Sequence, residues 1–224
     1  MKKYLILSIV AMLFAGFAEA QKASFVPEKQ IMKIQKGAKD AVWPKSELIL
    51  SEDLAAASCR AGTWKVENKE LSNEGTDPLV IKNLKGDFAI TFEYKFDSNE
   101  DEGALFICAT NNDPDKALRI KLSNVNAARS EDSIGSINGK VAPKNKFDES
   151  NGRWIKMFLF VEGDSIRLSS GDRICMHYAD RNFLTTSFDE ISKKLGQEID
   201  RKGGVGFVCN KGKIKIKNLS VTKF

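Results

Sequence analysis

Histidine is almost missing from this 224-residue chain: His177 is the only one. None of the four cysteines, Cys59, Cys108, Cys175 and Cys209, belongs to a C-x-x-C pair. Structural zinc is held by paired Cys/His spacings, so that class of site is not expected. The calcium-loop pattern D-x-D-x-D-G does not occur. There is no internal repeat and no low-complexity tract. After residue 20 no apolar run is long enough to span a bilayer. Lys and Arg number 35 against 30 Asp and Glu, a formal net charge of +5, but the basic residues are interspersed. Those of 28–46 are diluted by acids, and those of 211–217 alternate with apolar residues. A nucleic-acid groove clusters Lys and Arg with stacking aromatics, so nucleic acid is not an expected partner.

The start of the chain reads as a secretory signal over residues 1–20. Lys2 and Lys3 supply the charge, Tyr4 to Phe17 the apolar run, and Ala18-Glu19-Ala20 a small-x-small cleavage site. No cysteine follows the run, so no lipid anchor is expected. The remainder is expected to be periplasmic or secreted, with no membrane insertion after signal removal. Residues 21–45 are polar and lysine-rich, with Pro27 and Pro44, and read as a lead-in. Residues 46–224 have a length that suits one larger all-β domain. In an oxidising compartment the even cysteine count permits one or two disulfides, in three two-bridge connectivities.

Within 46–224 strand signals come at short spacing. The clearest is GDFAITFEYKFDS (86–98). Phe88, Ile90, Phe92, Tyr94 and Phe96 alternate with Ala89, Thr91, Glu93, Lys95 and Asp97. Successive strand side chains point to opposite faces, so this is one half-buried strand with Glu93 on its polar side. Other expected strands are 47–50, 63–66, 71–72, 79–81, 104–109, 118–123, 133–137, 154–161, 165–168, 173–177, 204–209 and 214–221. Asn138-Gly139 and Gly163-Asp164 have the composition of tight hairpin turns. Only Ser187–Lys202 reads as helix: Phe188, Ile191, Leu195 and Ile199 recur at helical spacing, with Ser187 as N-cap and Glu190 three residues on. A dozen strands and one short helix predict an all-β sandwich of two antiparallel sheets.

Four segments carry a family likeness: GTWKVENKELS (62–72), LVIKNLKGDFAITFEYKFDSNEDEGALFI (79–107), GRWIKMFLFVEGDSIRLSSG (152–171) and GGVGFVCNKGKIKIKNLSV (203–221). In this order the chain resembles the 3-keto-disaccharide hydrolase family over roughly Glu47 to Phe224. The resemblance implies a concanavalin A-like jelly roll and an exported bacterial protein acting on saccharide. It puts Glu93 where the family has a glutamate on its concave sheet. Most of the family's polar set is replaced. Its G-N-S-G-I-F-(Y/F)-R becomes residues 101–108, with Cys108 in place of arginine. Its G-x-I-G-L-Q-D-H-G becomes residues 203–211, with Val208, Cys209 and Asn210 in place of Gln, Asp and His. Its acidic, amide-rich strand becomes Arg119, Lys121 and Ser123.

Two readings follow. One is a catalytically degenerate saccharide-binding protein using Glu93, Arg119, Lys121, Phe158, Phe160 and Asn210. The other is a glycoside hydrolase or lyase with Glu93 as acid/base, which usually needs a second carboxylate about 5–10 Å away. A structural domain with no sugar site is the third possibility. Glu93 could instead pair with Lys95, Arg119 or Lys121 across strands. Phe158 and Phe160 could form a sugar-stacking platform or lie beneath a loop or the helix. Cys108 and Cys209 become disulfide candidates if their strands are neighbours, which leaves Cys59 and Cys175 as the other pair; four buried thiols are the alternative. Cys175 and His177, two apart on one strand, lack an orienting third group for nucleophilic catalysis. No cofactor is expected. The oxygen-rich loops 97–102 and 111–115 leave calcium open, but solvated turns are the better reading of them.

Overall fold

The computed structural model describes residues 47–48, 54–82, 84, 86–123, 130–144, 152–170 and 182–224. The expected signal and lead-in, the strand at 173–177, Cys175 and His177 lie outside these residues. The chain divides into two units, Met1–Trp43 and Pro44–Phe224, and all described residues belong to the second.

Thirteen strands occur among the described residues: β1 (Glu47–Leu48), β2 (Ala57–Ser58), β3 (Trp64–Glu67), β4 (Glu70–Asn73), β5 (Leu79–Ile81), β6 (Phe88–Phe96), β7 (Glu102–Ala109), β8 (Leu118–Lys121), β9 (Ile155–Glu162), β10 (Ser165–Ser170), β11 (Asn182–Ser187), β12 (Gly204–Lys211) and β13 (Ile214–Lys223). Among the described residues one α-helix, α1 (Phe188–Leu195), follows β11 directly, and three single-turn 3-10 helices lie at Thr110–Asn112, Pro114–Lys116 and Ser130–Asp132. An eight-stranded sheet runs β11-β10-β9-β6-β13-β4-β3, with β1 also paired to β13; a five-stranded sheet runs β2-β5-β12-β7-β8. Among the described residues every strand pairing is antiparallel. This is a jelly-roll sandwich.

The pleat of β6 puts Phe88, Ile90, Phe92, Tyr94 and Phe96 between the sheets, each at most 4% exposed. Leu105, Ile107, Leu118, Ile120, Val205 and Phe207 meet them from the smaller sheet. The rings of Phe92 and Phe207 contact edge-on with centroids 5.1 Å apart and join the two layers. Each such side chain contributes about 1.5–3 kcal/mol by leaving water. The alternating positions therefore point away from the core, and the two sheets turn their outer faces in opposite directions.

Three local readings need correction. Residues 133–137 are not a strand. Gly135 takes a left-handed φ of 83°, and only Ile137 forms isolated bridges, to Ile120 and Val141. The strands β2 and β11 carry no strong sequence signal: one has two residues, and the other, NFLTTS, shows no apolar/polar alternation and runs straight into a helix N-cap. The helix ends at Leu195 rather than Lys202, because Gly196 adopts φ 67° and its N–H returns to the Ser192 carbonyl. Ile199 still packs on the core from beyond the helix end. Ser187 caps the helix as expected, accepting the Glu190 N–H at 3.0 Å.

Candidate functional site

Glu93 lies on the outer face of the eight-stranded sheet, flanked in register by Lys156 on β9 and Lys217 on β13. Its side chain is 21% exposed, and one carboxylate oxygen stands 3.5 Å from the Lys217 ammonium. The other oxygen accepts a 2.7 Å hydrogen bond from the Asn218 carboxamide. Asn218 reaches it through a bulge. The β6–β13 register shifts between Lys217 and Ser220, and Asn218 takes φ 50°. The inward residues Ile214, Ile216, Leu219 and Val221 change parity there, and a bulge re-aims one side chain.

Trp154, just before β9, lies beside this group. The ammonium of Lys217 is 4.2 Å and that of Lys95 5.3 Å from its ring centroid. Both distances are within cation–π range. Asp97 binds Lys95 at 3.4 Å and Lys215 at 2.6 Å. The hydrogen bond from Lys215 holds the Asp97 carboxyl below the usual range and raises the lysine in turn. Carboxylate, carboxamide, ammonium and indole thus converge on three adjacent strands. Sequence reading singled out Glu93 but not Trp154, Lys156, Lys217 or Asn218. Trp154 does sit one residue before the inward Ile155, on the outward parity.

The second carboxylate required for glycoside hydrolysis is not immediate. Asp97 is four residues on, about 13 Å at the rise of a strand. Glu70 falls opposite Lys217 when the β4–β13 register is continued from Lys215↔Ser72 and Ile216↔Leu71. That places it two strands from Glu93, roughly 10 Å between backbones, with Lys217 in between.

Phe158 and Phe160 point to this same outer face, opposite Thr91 and Ala89 of β6. Phe158 is buried at 4% exposure, with the Lys156 ammonium 5.5 Å from its ring centroid, and Phe160 is half-buried. The helix does not cover them: Phe188 and Ile191 of α1 join the core between the sheets.

Arg119, Lys121 and Asn210 are elsewhere, on the outer face of the five-stranded sheet. The expected single constellation is therefore split between opposite sides of the sandwich, because β6 belongs to one sheet and β7, β8 and β12 to the other. Arg119 donates to Asn210 at 2.8 Å and to Asp115 at 3.1 Å. The surface beneath is apolar: Ala104, Phe106, Ala109, Ala117 and Val208 form a second buried cluster. Phe106 is fully buried and packs on Gly206, where any Cβ would collide with the Phe106 ring and the Leu79 carbonyl.

The disulfide expectation fails on geometry. Cys209 pairs with Gly103 at the start of β7, while Cys108 is near its end. Five residues separate them along the strand, about 16 Å, and a disulfide needs Cα atoms within about 7 Å. Both thiols are buried in the core and free, and Cys59 is also free. Burial pushes the Cys108 thiol up to about 12 and also raises Cys209. Cys209 donates to the carbonyls of Lys211 and Gly212, both at 3.4 Å.

Among the described residues no group of three or more His, Cys, Asp or Glu is placed to hold a metal. In the 97–102 loop, Asp101 accepts the Ser98 N–H at 3.1 Å and Glu100 binds Lys211 at 2.8 Å. Among the same residues no helix is long and apolar enough to cross a membrane.

The 3-keto-alpha-glucoside-1,2-lyase-like domain matches residues 38–222. The chain belongs to this family. Among solved structures, a protein of Parabacteroides distasonis provisionally described as a glycosyl hydrolase superposes with a TM-score of 0.66 at 13% identity, covering 80% of this chain and 100% of its own. A second from the same organism, described in the same way, gives 0.63 at 11% identity with the same coverage. The calcium-bound exoplasmic/lumenal domain of VIP36 gives 0.52 at 10% identity, covering 79% of this chain and 86% of its own. At such identities these structures report the fold, a concanavalin A-like jelly roll. A search of curated proteins found no match.

Proposed function

We propose that this family member is an exported, catalytically silent saccharide-binding protein that holds its ligand on the outer face of the eight-stranded sheet. The observation that carries this reading is the convergence of Glu93, Asn218, Lys217 and Trp154 on one partly exposed patch. Sugar hydroxyls donate to a carboxylate and accept from an ammonium, while the C–H face of a pyranose lies on an aromatic ring. Family membership supports a saccharide as the ligand class. Two features support loss of catalysis. The positions of the family's Gln, Asp, His and Arg hold Val208, Cys209, Asn210 and Cys108, and two of these turn into the core. The outward face around them is closed over Phe106. Export is supported by the signal pattern of residues 1–20.

The test is calorimetric titration with mono- and disaccharides, 3-keto forms included. Glu93→Gln is expected to weaken binding about ten- to a hundredfold without moving the melting temperature, the scale of one hydrogen bond to a charged group. Equal affinity in mutant and wild type would remove Glu93 from the site. A hydrolase or lyase with Glu93 as acid/base is the second reading, and the register position of Glu70 favours it. Turnover of a 3-keto-glycoside that is abolished by both Glu93→Gln and Glu70→Gln would establish it and reject catalytic silence.

A further inference from the structure

The charge around Trp154 is not what a neutral sugar requires. Lys95, Lys156, Lys215 and Lys217 all point from the outer face of β9, β6 and β13, where Glu93 and Asp97 pair with them and Glu70, opposite Lys217 in the continued register and acting on Lys215, is a third carboxylate. Four ammonium groups against three carboxylates leave an excess of one positive charge. Lys95 and Lys215 share Asp97, and Lys217 is bound to Glu93. Lys156 differs. It stands opposite Glu93 in register, yet its ammonium meets no carboxylate among the described residues and rests 5.5 Å over the Phe158 ring. An ammonium parked on an aromatic face is available to an incoming anion at the cost of one weak contact.

We infer that the ligand of this face is an anionic saccharide, a sugar carrying a carboxylate or sulfate group that is received by Lys156 beside Trp154. The inference rests on the saccharide-binding reading of the same face and adds the charge of the ligand. The sugar ring lies against the indole, one hydroxyl reaches Glu93, and the acidic substituent sits toward β9, where the unmatched positive charge is. Placement on the other side, toward Asp97, would bring the anion to a carboxylate already shared by two lysines.

Three probes separate the possibilities: a digalacturonate, the same disaccharide with its carboxyl groups reduced to alcohols, and a sulfated disaccharide. Each is titrated into the purified chain at low salt and at about 0.15 M salt, where the Debye length is ~8 Å. The uronate is expected to bind about tenfold more tightly than its reduced counterpart at low salt, and the advantage is expected to shrink with added salt. Lys156→Gln should reduce uronate affinity about three- to fivefold, leave the neutral sugar unaffected and leave the melting temperature unchanged, and Lys156→Arg should restore binding. A sulfated probe that binds as well as the uronate, or better, supports the inference and identifies which anion is preferred. Equal binding of uronate and neutral sugar overturns the anionic ligand and leaves the saccharide reading standing. If no probe binds and Trp154→Ala changes nothing, both fall.

Discussion

Cys108 shows how much one position can hide. Its backbone is left-handed, φ 59°, a conformation a non-glycine residue adopts at some cost, and its thiol is sealed in the core. Such a thiol remains protonated, so it is inert to alkylation near neutral pH in the native state. Mass spectrometry after alkylation in denaturant, with no reductant added, is expected to find Cys59, Cys108 and Cys209 labelled; a Cys108–Cys209 cross-link would contradict the register. The folded thiol is shifted upward, so its contribution to stability is complete below about pH 9 and declines as pH rises toward about 12. The two phenylalanines on β9 make a paired prediction. Phe158→Ala should lower stability by about 3 kcal/mol, the cost of truncating a buried aromatic, and Phe160→Ala should lower it less while weakening sugar binding more. Chemical denaturation and titration of both variants check the ranking. Both faces of β9 were ambiguous in sequence because Met157 to Val161 is continuously apolar, so parity alone did not say which aromatics were covered.

At the scale of elements, glycine and turn chemistry set what the hydrophobic pattern leaves open. Gly206 on β12 has the Leu79 carbonyl and the Phe106 ring where a side chain would begin. Gly206→Ala is expected to cost about 3 kcal/mol or more by overpacking, measured as a drop in the denaturation midpoint. Ser187→Ala, which removes the cap of α1, should cost about 1 kcal/mol. The bulge in β13 was legible in principle: Ile214 and Ile216 are followed by Leu219 and Val221, and the change of parity marks an inserted residue. That Asn218 then reaches Glu93 was not legible, because the contact joins residues 125 positions apart through a register that only the assembled sheet possesses.

Across the whole molecule, paired charges lace the surface. Glu74, Asp97, Glu100 and Glu190 are each held below the usual carboxylate range, chiefly by hydrogen bonds from Lys213, Lys215, Lys211 and Lys194 respectively. When the folded form is the stronger acid, the unfolded chain takes up the proton first. The stabilisation is therefore complete above about pH 4.5 and is lost as pH falls through the lower folded-state values. The melting temperature is expected to be flat between about pH 7 and 5 and to fall below about pH 4, less steeply at high salt. A rise on acidification would contradict these pairings. The alternation of 86–98, the turn residues and the near-absence of helical periodicity were enough to specify antiparallel strands, a buried face for each, and a two-layer sandwich, because those depend on neighbours one or two positions apart. Which strands share a sheet is decided only when the chain closes on itself. Closure sent β6 to one layer and β7, β8 and β12 to the other, and so parted Glu93 from Arg119, Lys121 and Asn210 while bringing it Trp154, Lys217 and Asn218. The contacts that make the site span long stretches of chain, and no local preference encodes them.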